Sequence, residues 1–193
     1  KLIGESWEVS AIPERPGIVS NGSLAGTKIA DVISSYGERV LGKSVVAKYG
    51  LELPLLVKFI DARNDLSIQV HPDDEMAMKY HGKKGKTEMW YIIDAEPGAC
   101  LYAGFKERIT PYEYACRVKD GTICDVLARH DVKPGDVFYI PAGRVHAICG
   151  GILLVEVQQS SDVTYRIFDY NRRDVDGNLR ELHTELAAEA IDY

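Results

Sequence analysis

Closely spaced cysteines are missing from this sequence. Its four cysteines, Cys100, Cys116, Cys124 and Cys149, are scattered and form no C-x-x-C pair. That spacing argues against a thiolate metal site and against a disulfide framework. Reduced, mostly buried thiols are expected, as in a cytoplasmic protein. Long apolar runs are missing too. Stretches such as 53–57 and 152–157, the latter already interrupted by Glu156, are typical and fall far short of the roughly 20 residues that span a bilayer, so no membrane role is expected. Positive charge is not in excess. With 23 Lys and Arg against 29 Asp and Glu the formal net charge is -6, which excludes a generic nucleic-acid surface; any anionic ligand needs a local cluster of cations. No signal-peptide pattern, internal repeat or low-complexity linker is present. The chain opens at Lys1 rather than Met and runs straight into strand-like Ser6-Trp7-Glu8-Val9-Ser10, so residues ahead of it are expected to be missing. Nothing in the sequence specifies an oligomeric state.

What is present is a 193-residue chain, 46% hydrophobic and 27% charged, enough for one well-cored globular domain. Strands are predicted at 6–12, 55–61, 67–70, 87–93, 101–105, 137–140, 152–158 and 164–169. One helix is predicted to start at a Thr27 cap, to carry Ile29, Val32, Ile33, Tyr36 and Val40 on one face, and to end at Gly42. A short helix at 73–80 would use Asp73, Asp74 and Glu75 at its positive end, with Met76 and Met78 filling core gaps. Lys83, Lys84 and Lys86 mark a basic loop before the next strand. Thr110 and Pro111 signal another helix start, and 181–190 has helical composition. Many short strands with Gly/Pro turns, and helices inserted before and between them, predict a mainly β sandwich or small barrel.

Side chains alternate across a strand, so Ser67, Gln69 and His71 share one face. Lys86, Glu88, Trp90 and Ile92 share another, and Leu154, Glu156 and Gln158 a third. A purely structural barrel would place aliphatic residues at these positions. Gln69, His71, Glu88 and the more distant His146 supply an amide oxygen, two imidazoles and a carboxylate, a suitable N/O set for a divalent first-row metal. Glu88 lies in an apolar strand and needs a partner; the structural alternative to a metal is an ion pair with Lys86. For Arg166 the structural alternative is a pair with Asp162 or Asp169.

The run from Gly135 to His146 reads G-x5-P-x-G-x2-H and resembles the second sequence motif of the cupin superfamily. The first cupin motif is disrupted, because 16 residues separate His71 from Glu88. A wider resemblance is to type I phosphomannose isomerases. It rests on Ser67-Ile68-Gln69-Val70-His71-Pro72-Asp73-Asp74, Gly85-Lys86-Thr87-Glu88-Met89-Trp90-Tyr91-Ile92, Ile140-Pro141-Ala142-Gly143-Arg144-Val145-His146-Ala147, and the stretch from Glu156 through Gln158, Asp162 and Tyr165 to Arg166, four motifs in order. The resemblance implies a cupin-type jelly-roll barrel with helical insertions and a C-terminal helix. Residues 1–193 would form a single catalytic domain, without the further C-terminal β domain usual in the family. It implies one Zn2+ (or another divalent ion) on Gln69, His71, Glu88 and His146. Ser67 and Lys86 match substrate-contacting positions, Arg166 the family's catalytic arginine, and Glu156 an acidic position suited to proton transfer. Lys83, Lys84, Lys86 and Arg144 are the cations available to a phosphate. The activity implied is interconversion of mannose 6-phosphate and fructose 6-phosphate through a cis-enediolate. Two rival readings are a metal cupin oxygenase on the same ligands and a non-catalytic sugar-phosphate-binding cupin.

Overall fold

Two five-stranded antiparallel sheets face each other in the computed structural model, which describes residues 4–173 and 176–193. In chain order the strands are β1 (Glu5–Val9), β2 (Leu55–Ala62), β3 (Ile68–Val70), β4 (Glu88–Ala95), β5 (Cys100–Phe105), β6 (Leu127–Asp131), β7 (Val137–Ile140), β8 (His146–Ile148), β9 (Ile152–Gln159) and β10 (Tyr165–Phe168). One sheet runs β1-β2-β9-β4-β7 and the other β10-β3-β8-β5-β6, the mainly β jelly roll of a cupin. Strand β9 shows why the sheets form. Its side chains alternate between buried and half-buried along the whole strand, and it pairs with β2 on one side and β4 on the other. Ile152 and Leu154 on its inner face join Ile60, Trp90, Ile92, Leu101 and Ile148 in the core between the sheets. Full burial of each such side chain contributes about 1.5–3 kcal/mol.

The helices are α1 (Ile29–Tyr36), α2 (Glu38–Leu41), α3 (Lys43–Tyr49), α4 (Asp74–His81), α5 (Pro111–Lys119) and α6 (Thr184–Ala190). Tyr114 of α5 and Ala187 of α6 pack with Ile68, Val70, Ala147 and Ile167 in a second core, on the other face of the second sheet. As predicted, Thr110 caps α5 through Glu113 N and Pro111 opens it. Asp73 caps α4 by accepting from Met76 N at 2.8 Å. Met76 is buried, but Met78 is 58% exposed and fills no gap.

The single helix predicted to end at Gly42 is instead three short ones. Gly37 (φ 45°) and Gly42 (φ 85°) each break it and the chain resumes helix to Tyr49, because both take left-handed backbone that only glycine adopts cheaply. Its cap position is Lys28, without a side-chain bond, rather than Thr27. Strand β6 was not predicted. Beyond buried Leu127 it reads Ala-Arg-His-Asp, half-buried or exposed at a sheet edge, and carries no apolar alternation. Among the described residues no helix is long and apolar enough to cross a membrane.

Candidate metal centre

His71 follows the end of β3, Glu88 opens β4 and His146 opens β8. All three are buried, and they are the group among the described residues able to hold a metal ion. The imidazole Nε2 of His71 lies 3.4 Å from Glu88 Oε2, and that of His146 lies 3.3 Å from Glu88 Oε1. The far nitrogens settle the tautomers. His71 Nδ1 is 3.1 Å from the Val163 carbonyl and His146 Nδ1 is 2.8 Å from the Arg144 carbonyl. A carbonyl only accepts, so each Nδ1 carries the hydrogen and each Nε2 turns a lone pair toward Glu88. Burial, reinforced by the Lys86 charge, lowers the His71 pKa to about 3. Burial also lowers that of His146. Both rings are therefore neutral, the form that binds metals. Burial alone would raise the Glu88 pKa, but the Lys86 charge is the largest influence against it and the carboxyl is held well below its ordinary range.

Neither oxygen of Glu88 accepts a hydrogen bond. Lys86 Nζ approaches Oε2 at 2.9 Å, so the expected ion pair does exist. The same ammonium lies 3.2 Å from His71 Nε2, so it serves the His71 edge of the site and leaves Oε1 facing the Nε2 lone pair of His146. The unbonded Oε1 and the His146 lone pair converge in a buried space beside the Nε2 of His71, an arrangement that a cation satisfies. Gln69 faces His146 across the β3–β8 pairing, with Nε2 3.2 Å from His146 Nε2; turning the amide over presents its oxygen instead. The residues thus fit a divalent ion.

A second layer of charge adjoins the first. Glu156 of β9 is in register with Lys58 of β2 and Trp90 of β4. Trp90 Nε1 donates to Glu156 Oε2 at 3.1 Å. Glu156 Oε1 accepts no hydrogen bond and lies 3.4 Å from Lys58 Nζ and 3.7 Å from Lys86 Nζ. Burial and the Glu88 charge raise the Glu156 pKa, with Lys86 and Lys58 opposing. Burial works to lower the Lys86 pKa, but Glu88 and Glu156 overcome it and the net shift is upward.

Ser67 is buried. Arg166 sits opposite Gln69 in the β10–β3 pairing, hence on the same face. It pairs with neither Asp162 nor Asp169. Its Nη1 donates to the Glu181 carbonyl at 2.8 Å, and its Nε is buried without a partner. Lys83 is bound to Asp162 and Lys84 to Glu52. Arg144 is exposed. Its side chain lines a separate hollow of about 690 Å3 with Lys106, Arg108 and His130, and only its carbonyl reaches the centre. Sequence reasoning passed over Lys58. The signal was available: a lysine at an inward position of β2, between buried Leu56 and Ile60.

Gly85 fixes where Lys86 and Glu88 begin. A Cβ there would fall 2.4 Å from Asp73 C and 2.5 Å from Asp74 N, and Gly85 N donates to Asp74 Oδ1 at 2.8 Å. The loop lies backbone to backbone against the start of α4. Gly85→Ala is expected to destabilise the fold by about 1–3 kcal/mol and to weaken metal binding, read by urea denaturation and zinc titration. Unchanged values for both would remove Gly85 from this role.

The family model described as "Phosphomannose isomerase type I, catalytic domain" matches residues 1–104. "Probable mannose-6-phosphate isomerase GmuF" of Bacillus subtilis (strain 168) is 44% identical over 189 residues, covering 97% of this chain and 58% of that protein. "Mannose-6-phosphate isomerase ManA" of the same organism is 42% identical over 190 residues, covering 98% and 58%. The crystal structure of the mannose 6-phosphate isomerase from Bacillus subtilis superimposes with a TM-score of 0.88 at 40% identity, over 97% of this chain and 58% of that one. A zinc-bound mannose 6-phosphate isomerase shares the fold, with a TM-score of 0.71 at 15% identity over 98% and 66%. The chain spans 58% of the length of the Bacillus relatives.

Proposed function

The chain belongs to the type I phosphomannose isomerase family, and from that premise we propose that it interconverts mannose 6-phosphate and fructose 6-phosphate. His71, Glu88 and His146, with Gln69 beside them, would hold one zinc ion, a choice supported by their neutral imidazoles and ionised carboxylate. Bound zinc would supply a Lewis acid for the sugar oxygens on C1 and C2, spreading the negative charge of the enediolate. The protein does the rest. Glu156 takes a proton from one carbon and returns it to the other; Trp90 tethers its Oε2, and Oε1, which accepts no hydrogen bond and faces Lys58 and Lys86, makes the transfer. Lys86 and Ser67 meet the sugar, and the unpartnered Nε of Arg166 is a charged donor for its oxygens. Of the cations open to the phosphate only Lys86 lies at the centre. Lys83 and Lys84 would have to leave their ion pairs and Arg144 its separate hollow. The proposed site residues all lie between Ser67 and Arg166, so the jelly roll itself is the catalytic unit of this reading. Four unpaired cysteines support a reducing compartment such as the cytoplasm.

The observation that carries the reading is Lys86, whose ammonium stands between the metal-ligating carboxylate of Glu88 (2.9 Å) and the carboxylate of Glu156 (3.7 Å). Metal chemistry and proton transfer share one charged wall, which suits metal-assisted proton transfer between adjacent carbons. The test is a coupled assay of mannose 6-phosphate conversion without oxygen, on zinc-loaded and chelator-stripped protein. Turnover is expected anaerobically, lost on stripping and restored by zinc. Oxygen-dependent consumption would point to an oxygenase, and sugar-phosphate binding without conversion by the zinc-loaded protein to a sensor; either result overturns the proposal.

A further inference from the structure

We propose that Lys58 is a positioning residue for Glu156: its buried ammonium, delivered from the neighbouring strand, keeps that carboxylate charged and aimed into the cleft. The proposal rests on the reading of Glu156 as the proton carrier. Lys58 is only 8% exposed, an uncommon state for a lysine unless a partner compensates. It stands directly opposite Glu156 across the β2–β9 pairing, with Nζ 3.4 Å from Glu156 Oε1 and 3.8 Å from Glu5 Oε2, over the Trp7 ring at 4.8 Å. An alternating line of charge results. Arg15 meets Glu5 (3.7 Å), then come Lys58, Glu156, Lys86 (3.7 Å) and Glu88 (2.9 Å).

Division of labour within that line singles out Lys58. Lys86 is closer to Glu88 than to Glu156, and Glu88 is committed to the metal centre. The groups acting on Glu156 are Lys58 from β2, Trp90 and Glu88 from β4, and Lys86 just ahead of β4. Glu5 of β1 lies behind Lys58, and the facing sheet presents the neutral His71 and His146 with Arg166. Removing Lys58 leaves Glu156 buried, with the Trp90 indole as its hydrogen-bond donor and the remaining lysine, Lys86, already engaged by Glu88. Such a carboxyl takes up a proton, and a protonated Glu156 cannot accept one from the sugar. The sign follows: a nearby cation lowers a carboxyl pKa, so its loss raises it, and the acid limb of the rate profile moves to higher pH.

Trp90 provides a readout that does not depend on turnover, because its indole N–H donates to Glu156. The chain has two tryptophans, so Trp7→Phe assigns the two indole resonances in an NMR titration of the zinc-loaded protein. In Lys58→Met the Trp90 midpoint is expected to rise by about one pH unit or more and in Lys58→Arg to return toward wild type. The acid limb of kcat should move by the same amount, with zinc content unchanged and the lost activity recovered at alkaline pH. Lys58→Gln serves if the methionine variant does not fold. An unmoved indole midpoint in a folded neutral variant overturns the proposal. So does a raised KM with an unmoved acid limb, which would make Lys58 a direct substrate contact. Wild-type protein that does not isomerise would sink the proposed function, and the indole titration would still decide whether Lys58 governs Glu156.

Discussion

His146→Ala is expected to empty the metal centre and abolish turnover in one step. The imidazole is fully buried, its Nδ1 fixed by the Arg144 carbonyl and its Nε2 turned to Glu88 Oε1 at 3.3 Å. Alanine removes a donor that has no substitute nearby, since Gln69 already belongs to the same set. It also leaves a buried carboxylate oxygen with nothing opposite it, at a cost of about 1–3 kcal/mol. Glu88 then leans on Lys86 alone, which closes the ion pair and further disfavours a divalent cation. Bound zinc should fall below about one-tenth per chain, and the several kcal/mol of charge stabilisation that a Lewis acid supplies should be lost, a fall of about 10^3-fold or more in kcat/KM. Metal analysis alongside the coupled assay reads both quantities. Loss of turnover at full zinc occupancy would take His146 out of the ligand set and make it a residue of the reaction step.

Strand alternation drew attention to His71 and Glu88, whereas His146 stood out by its motif and the ligand set came from the family resemblance. Each opens a strand or closes one, at an inward position, where a jelly roll would otherwise place an aliphatic side chain. A buried polar group at such a position needs a partner, and three of them converging need a shared one. Lys58 gave the same signal, a charge among buried Leu56 and Ile60, but it stood in no quoted motif and its partner, Glu156, lies 98 residues later (156 − 58). Periodicity failed at Gly37, since Ile29 to Val40 keep their helical spacing straight through a glycine that turns the chain. It failed at β6 because an edge strand with polar residues has no apolar face to advertise. Arg144 shows a different limit. It has the same parity as His146, yet it belongs to the turn before β8, where alternation does not hold, and the residue is exposed and lines another hollow. Arg166 was named by the resemblance alone, and its guanidinium is held by the Glu181 carbonyl, a partner no local pattern reveals.

Glu156→Gln should show the opposite combination, a full metal site and almost no turnover. The substitution preserves shape and removes the charge. An amide oxygen can still accept from Trp90 Nε1, so the side chain keeps its tether, while the other end offers Lys58 and Lys86 no carboxylate. The hydrogen-bond and ion-pair partners of Glu156 are Trp90, Lys58 and Lys86 rather than the metal-binding side chains, so zinc content should match wild type. Loss of the proton carrier should lower kcat by about 10^2–10^4-fold with little change in KM, and exchange of the C2 hydrogen with solvent should fall in parallel. Stability supplies an independent check. The folded state raises the Glu156 pKa, so the fold disfavours the ionised form relative to the unfolded chain, and that penalty applies once the pH exceeds the ordinary carboxylate range. A neutral glutamine avoids it, so near neutral pH the variant should unfold at the same urea concentration as wild type or higher. A proton-transfer group held at a cost to the fold fits that result. If Glu156→Gln instead keeps more than about one-tenth of wild-type turnover, the proton is carried by another group, and the wall formed by Lys58 and Glu156 serves only to place the sugar.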